Sequence, residues 1–118
     1  MVIEGVVIEG RKMGRQLGFP TANVALDGGI NIDSGVYLSS VKVGDRFYRA
    51  VTNIGTNPSV GSVEKRSESY LLDFHGDLYG QIITIELGEK LRQELRFESI
   101  EALRQQILMD IERVRQLL

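Results

Sequence analysis

Apolar and polar positions alternate over much of the chain, and the rhythm changes only near its end. Residues 2–10 read VIEGVVIEG. Valine and isoleucine punctuated by Gly5 and Gly10 predict a first strand with a bend or bulge. Residues 11–35 lose that regularity, and LDGGINIDSG within them carries the glycines and aspartates of a loop. VYLSSVKV (36–43) and RFYRAVTNI (46–54) flank Gly44-Asp45 and predict a hairpin on a two-residue turn. The polar run GTNPSVGSVEKRS, with the second proline, predicts a loop, and ESYLLDF (68–74) and LYGQIITIEL (78–87), joined by HGD, predict a second hairpin. From there the period becomes helical. Phe97, Ile100, Leu103, Ile107, Ile111, Val114 and Leu118 fall three or four apart, which predicts a helix starting near Ser99 as N-cap.

Strands in hairpin order followed by one terminal helix predict an antiparallel barrel or sandwich, because the alternation of strand and helix that builds parallel sheets is missing. At 118 residues the chain is expected to form one domain, 1–118. With 42% apolar and 25% charged residues it has the make-up of a soluble globular protein. No apolar run approaches the roughly 18 residues of a membrane span, and the N-terminus lacks the basic start of a signal peptide. A cytoplasmic protein with no membrane partner is therefore expected. With no cysteine and one histidine, any metal must be held by oxygen. A net charge of −2 argues against nucleic acid as a partner. Arg11, Lys12 and Arg15 in GRKMGR nonetheless form a local patch suited to one anion, such as a nucleotide.

The stretch RQLGFPTANV (15–24) bears on that anion. Pro20 fixes its own φ and pushes Phe19 out of the helical region, so residues 19–23 should run extended. At about 3.3 Å per residue, Thr21 and Asn23 then project in parallel roughly 6.6 Å apart. Their neutral oxygens suit a hard cation such as Mg²⁺, which commonly takes one or two protein ligands and completes its shell with water and phosphate. Gly10, Gly14 and Gly18 recur among the cations upstream and could let backbone N–H groups cover a phosphate chain. The loop is not of the Walker A type, since it enters an extended segment rather than a helix. Pro-Thr and glycine-rich loops also serve as plain turns, so spacing alone leaves both readings open.

These residues carry a family resemblance. GRQLGFPTANV (14–24) resembles the signature of flavokinase-type riboflavin kinases, found alone in eukaryotes and as the C-terminal module of bacterial bifunctional FAD synthetases. GVYLSSV (35–41), NIGTNP (53–58), ESYLLDF (68–74), DLYGQ (77–81) and LRQELRF (91–97) continue the match in order over nearly the whole chain. The resemblance implies a mainly β fold, a six-stranded antiparallel Greek-key barrel with a C-terminal α-helix. It implies phosphorylation of the riboflavin 5′-hydroxyl by MgATP to give FMN and ADP. Carried over by motif, Thr21 and Asn23 would contact Mg²⁺ and the nucleotide phosphates, with Gly10 and Arg15 in the covering loop. Glu68 matches the catalytic base. Leu71, Asp73 and Tyr79 fall where the family lines the nucleotide pocket, and Arg92 and Phe97 where it contacts flavin.

Two departures stand out: NPSVG replaces a threonine and aromatic that often follow this proline, and Leu95 replaces a cation. An FMN adenylyltransferase module is the partner the resemblance implies in a full-length protein. The chain shows no such segment, so it is expected to be a free-standing kinase or an excised module without FAD synthesis. The rival readings are a non-catalytic flavin- or nucleotide-binding barrel and a small nucleic-acid-binding barrel, the latter opposed by the acidic charge.

Local physics offers plainer roles for the same residues. Glu68 could be a solubilising glutamate at a strand edge, and Tyr79 and Phe97 could fill the core. Arg92 could be a surface cation, and His75 is expected to be a solvated turn residue.

Overall fold

The protein is described from a computed structural model that covers residues 1–8, 21–26, 31–59 and 62–117. Six strands and one helix follow in order: β1 (Val2–Val6), β2 (Thr21–Ala25), β3 (Gly35–Val43), β4 (Arg46–Ser59), β5 (Ser62–Leu71), β6 (Ile82–Arg92) and α1 (Ile100–Gln116). The strands form one sheet in the order β1-β6-β3-β4-β5-β2, every neighbouring pair antiparallel. Three consecutive strands, β3 to β5, are followed by one that returns beside the first of them, which is the Greek-key arrangement. The two edges meet where the Ile8 N–H donates to the Asn23 carbonyl at 2.8 Å, so the sheet curls into a nearly closed barrel.

Alternation sends one face of each strand into the barrel. Ile3, Val24, Val41, Ile54, Ile83 and Ile85 are buried there. Among them runs a chain of hydroxyls, Ser39 to Thr52 at 2.6 Å and Thr52 to Ser69 at 2.8 Å, linking β3, β4 and β5. Each hydroxyl can donate one bond and accept another, so buried polar groups satisfy one another without water. The outer face of β3–β4–β5 carries a second apolar layer, where Val114 and Ile107 of α1 meet Val36, Val51, Leu91 and Tyr70. Ser99 caps α1, its Oγ accepting from the Ala102 N–H at 3.1 Å.

The β3–β4 hairpin and the C-terminal helix follow the sequence pattern closely, whereas two other expectations need correction. The polar run after Ile54 is strand, not loop: β4 continues to Ser59 and pairs back with β5 from Ser62. β3 reaches only to Ile54, so beyond it one edge of β4 is open, and Pro58, which lacks an N–H to donate, falls there. ESYLLDF and LYGQIITIEL do not form a hairpin either. β5 ends at Leu71 and takes β2 on its free edge, while β6 pairs with β1 and β3. Residues 78–81 belong to the connection, turned by the Asp77 carboxylate accepting from the Tyr79 N–H at 2.9 Å. β1 is also shorter than expected; beyond Val6 the chain keeps the Ile8 bridge, and residues 9 and 10 lie outside the described residues.

Gly5 faces the barrel interior where β1 approaches β2. A Cβ there would stand 2.5 Å from Val24 Cγ1, and Val24 is a stiff, fully buried side chain with no room to give. Gly5→Ala is expected to destabilise the fold by about 1–3 kcal/mol in urea unfolding, and Gly5→Ala/Val24→Ala should lose less than the sum of the two single changes.

Candidate active site

Glu68 stands at the middle of β5 with β4 on one side and β2 on the other. Its register partners are Asn53 and Asn23. Directly opposed residues share a face, so the three side chains form one row across three strands. Ser67 and Ser69 point into the barrel and are fully buried, which leaves Glu68 and Tyr70 on the outer wall. After β6 the chain crosses that wall as a strap, residues 93–99, before α1 begins. The strap lies tight on β4: a Cβ on Gly55 would meet the Glu94 carboxylate at 2.8 Å.

Wall, strap and helix line a half-open cleft of about 630 Å³. The strand wall contributes Asn23, Asn53, Arg66 and Glu68; the strap and helix contribute Leu95, Phe97, Ile100 and Leu103 together with Glu94, Arg96 and Ser99. A concave site of that size with mixed polar and apolar lining suits a part-apolar small molecule. The Tyr70 hydroxyl donates to Glu68 Oε1 at 2.7 Å and fixes the carboxylate's orientation. Burial, and then the adjacent Glu68 charge, push the Tyr70 phenol far above its ordinary range, so it stays a donor. Asn53 Oδ1 is buried and accepts no hydrogen bond among the described residues.

The structure brings together only some of the residues singled out from sequence. Asn23, Glu68 and Phe97 line the cavity. Thr21 shares the face of Asn23 on β2, opposite Tyr70, just beyond that lining. Arg92 is the last residue of β6 rather than part of the connection to the helix. Its Nε and Nη2 grip the buried Asp110 carboxylate at 3.0 and 2.7 Å, and Nη1 donates to the Gln93 carbonyl. It borders a small cavity of about 30 Å³ that adjoins the larger one and shares Asn53, Tyr70, Leu95 and Phe97 with it. Leu71 is buried inside the barrel. Asp73 and Tyr79 are exposed on the connection after β5. Arg115 binds the Asp73 carboxylate through Nη2 at 3.0 Å, and that hydrogen bond and charge hold the Asp73 carboxyl below its usual range. Gly10 and Arg15 lie outside the described residues.

Sequence reasoning did not assign Asn53, Arg66, Tyr70 or Glu94. Period-two alternation from Glu68 would have put Arg66 and Tyr70 on its face; Asn53 lay in a predicted strand, but its pairing with Glu68 is long-range and leaves no local signal. The donor set favours a hard cation: the Thr21 hydroxyl and Asn23 amide share one face beside the Glu68 carboxylate. Among the described residues no three His, Cys, Asp or Glu gather around a metal point. A cation here would draw the rest of its shell from water or ligand oxygens, as Mg²⁺ commonly does.

Fold and site together define a small barrel with a mixed polar and apolar cleft on its outer wall. The chain belongs to the riboflavin kinase family, whose model, described as Flavokinase: Riboflavin kinase, matches residues 1–118. It is 46% identical over 112 residues to the RNA-binding riboflavin kinase RibR of Bacillus subtilis, covering 93% of this chain and 48% of that protein. It is 45% identical over 116 residues to a bifunctional riboflavin kinase/FMN adenylyltransferase of Pseudomonas fluorescens, covering 98% of this chain and 37% of that one. The chain thus spans less than half the length of these relatives. The crystal structure of riboflavin kinase from Trypanosoma brucei superposes with a TM-score of 0.65 at 26% identity, over 99% of this chain and 78% of that one.

The Arg92–Asp110 pair ties the end of β6 to α1 under the strap. Asp110→Ala is expected to cost about 2–4 kcal/mol in urea unfolding, because it strands a part-buried guanidinium. Arg92→Leu/Asp110→Leu should recover much of that loss, since it leaves no unpaired charge.

Proposed function

We propose that this chain transfers the terminal phosphoryl group of ATP to the 5′-hydroxyl of riboflavin, giving FMN and ADP. The observation that carries the reading is the placement of Glu68. A carboxylate aligned by Tyr70 stands between two amide side chains on the strand wall of a cleft that also presents Leu95, Phe97 and Leu103. The apolar side chains suit a flat aromatic ring system, and the polar ones suit an alcohol-bearing tail.

Glu68 orients the attacking hydroxyl and accepts its proton as the new P–O bond forms; a positioned base of this kind typically contributes about 10² to 10⁴ in rate. Tyr70 occupies Oε1, leaving Oε2 for the alcohol. Thr21 and Asn23 would hold Mg²⁺, which when bound supplies positive charge at the phosphate oxygens. Phosphoryl transfer asks mainly for alignment and charge placement, and a rigid strand face provides the first. The strap at 93–99 excludes water from the ring side. Nucleotide-side roles for Gly10, Arg15, Leu71, Asp73 and Tyr79, and a flavin-side role for Arg92, rest on the family resemblance alone.

The activity belongs in the cytoplasm, where ATP is abundant. In a longer protein, an FMN adenylyltransferase unit is the partner suggested by the bifunctional relatives. The acidic charge speaks against a nucleic-acid ligand for this chain, and RNA binding is taken here as a property of the one relative so named.

Incubation with riboflavin and MgATP, followed by chromatography, should yield FMN; riboflavin binding without FMN would mark a non-catalytic flavin-binding barrel instead. Glu68→Gln should lower turnover by about a hundredfold or more with riboflavin affinity nearly unchanged, and unaltered turnover would remove Glu68 as base. Asn23→Ala should weaken MgATP more than riboflavin, as read by separate titrations with the two ligands.

A further inference from the structure

Resting on the flavin reading above, we infer that Asn53 is a substrate-recognition residue, its amide oxygen accepting a hydrogen bond from a ribityl hydroxyl that neighbours the reacting one. Asn53 and Glu68 are cross-strand partners on the outer wall. Side chains so opposed have Cβ atoms about 4.5–5.5 Å apart, the reach of two hydroxyls on one short polyol. Both offer acceptors. Glu68 Oε1 is already engaged by Tyr70, whereas Asn53 Oδ1 is buried without a hydrogen bond among the described residues. A buried acceptor left so is unfavourable, and a hydroxyl that donates to it relieves that cost.

That favours an alcohol over a phosphate tail. Phosphate oxygens of a nucleotide carry no hydrogen to give and would meet two acceptors unfavourably. An alcohol can donate to one acceptor while its neighbour donates to the other. Leu95 and Phe97 adjoin Asn53 in the lining of the same cleft, so a ring system packed against them carries its polyol tail past Asn53 toward Glu68. Asn53 thereby acts in selecting a hydroxylated tail and in setting the reacting hydroxyl beside Glu68, a role distinct from proton transfer.

The test uses the whole chain and two flavins, riboflavin and lumiflavin, the latter having the ring system without the polyol. Binding is read from flavin fluorescence, independently of turnover, for the unaltered chain and for Asn53→Ala, Asn53→Leu and Asn53→Thr. Leucine keeps the volume without an acceptor; threonine keeps an acceptor in a residue favoured in strands. Riboflavin should bind about five- to tenfold more weakly to the alanine and leucine variants, while lumiflavin binding stays unchanged and threonine restores part of the loss. Equal loss for both flavins, or none for riboflavin, would overturn the inference. If alanine and leucine variants fail to fold by thermal melting, the threonine variant carries the comparison, through a riboflavin loss of about twofold or more without lumiflavin loss. Absence of binding of either flavin to the unaltered chain would overturn the flavin reading itself, and this inference with it.

Discussion

The register of β5 between β4 and β2 is the constraint on which the rest of the molecule depends. Asn53, Glu68 and Asn23 share a row only because Asn53 and Asn23 both stand opposite Glu68. A slip of one residue in either pairing would carry a whole set of side chains to the other face. The buried hydroxyls of Ser39, Thr52 and Ser69 oppose such a slip, because each loses its partner if the strands move. These residues alternate with the outward ones, so a polar ladder inside the barrel holds the spacing of the polar row outside. The Asn23 backbone adds a second duty by accepting the bond from Ile8 that draws the two sheet edges together.

Covering the row requires a second layer, and charged side chains anchor it along the middle and C-terminal end of the helix. Arg92 and Asp110 join the end of β6 to the middle of α1, and Arg113 donates to the Leu91 carbonyl at 2.8 Å. Arg115 reaches the Asp73 carboxylate on the connection after β5. The last of these is exposed and screened by solvent, so it adds little to stability. The first is largely shielded and sets the angle at which the strap leaves the strand. The cavity's apolar side is therefore positioned by polar contacts that lie outside it.

Much of the fold was legible because its signals are local. Ser99, the apolar stripe from Phe97 to Val114 and the Gly44-Asp45 turn each announce their element within a few residues. The errors arose where pairing is long-range. Nothing local in GTNPSVGSVEKRS shows that β3 stops short and leaves β4 and β5 to continue as a two-stranded ribbon. Nothing in HGD shows that the next strand returns beside β3 instead of β5. The site divides in the same way: Glu68, Asn23 and Phe97 stand out in their motifs, while Asn53 and Tyr70 gain meaning only once register places them beside Glu68. Arg92 adds a contact its motif does not show, since its Nε and Nη2 bind Asp110 of the helix.

The reactive row lies on the outside of the cylinder, and the lumen is filled with aliphatic side chains. A molecule held at Glu68 would therefore not have to thread the barrel. The staves need not part, so turnover and unfolding draw on separate motions. Packing inside can drift over time toward hotter or colder habitats while the workbench on the outer wall stays as it is.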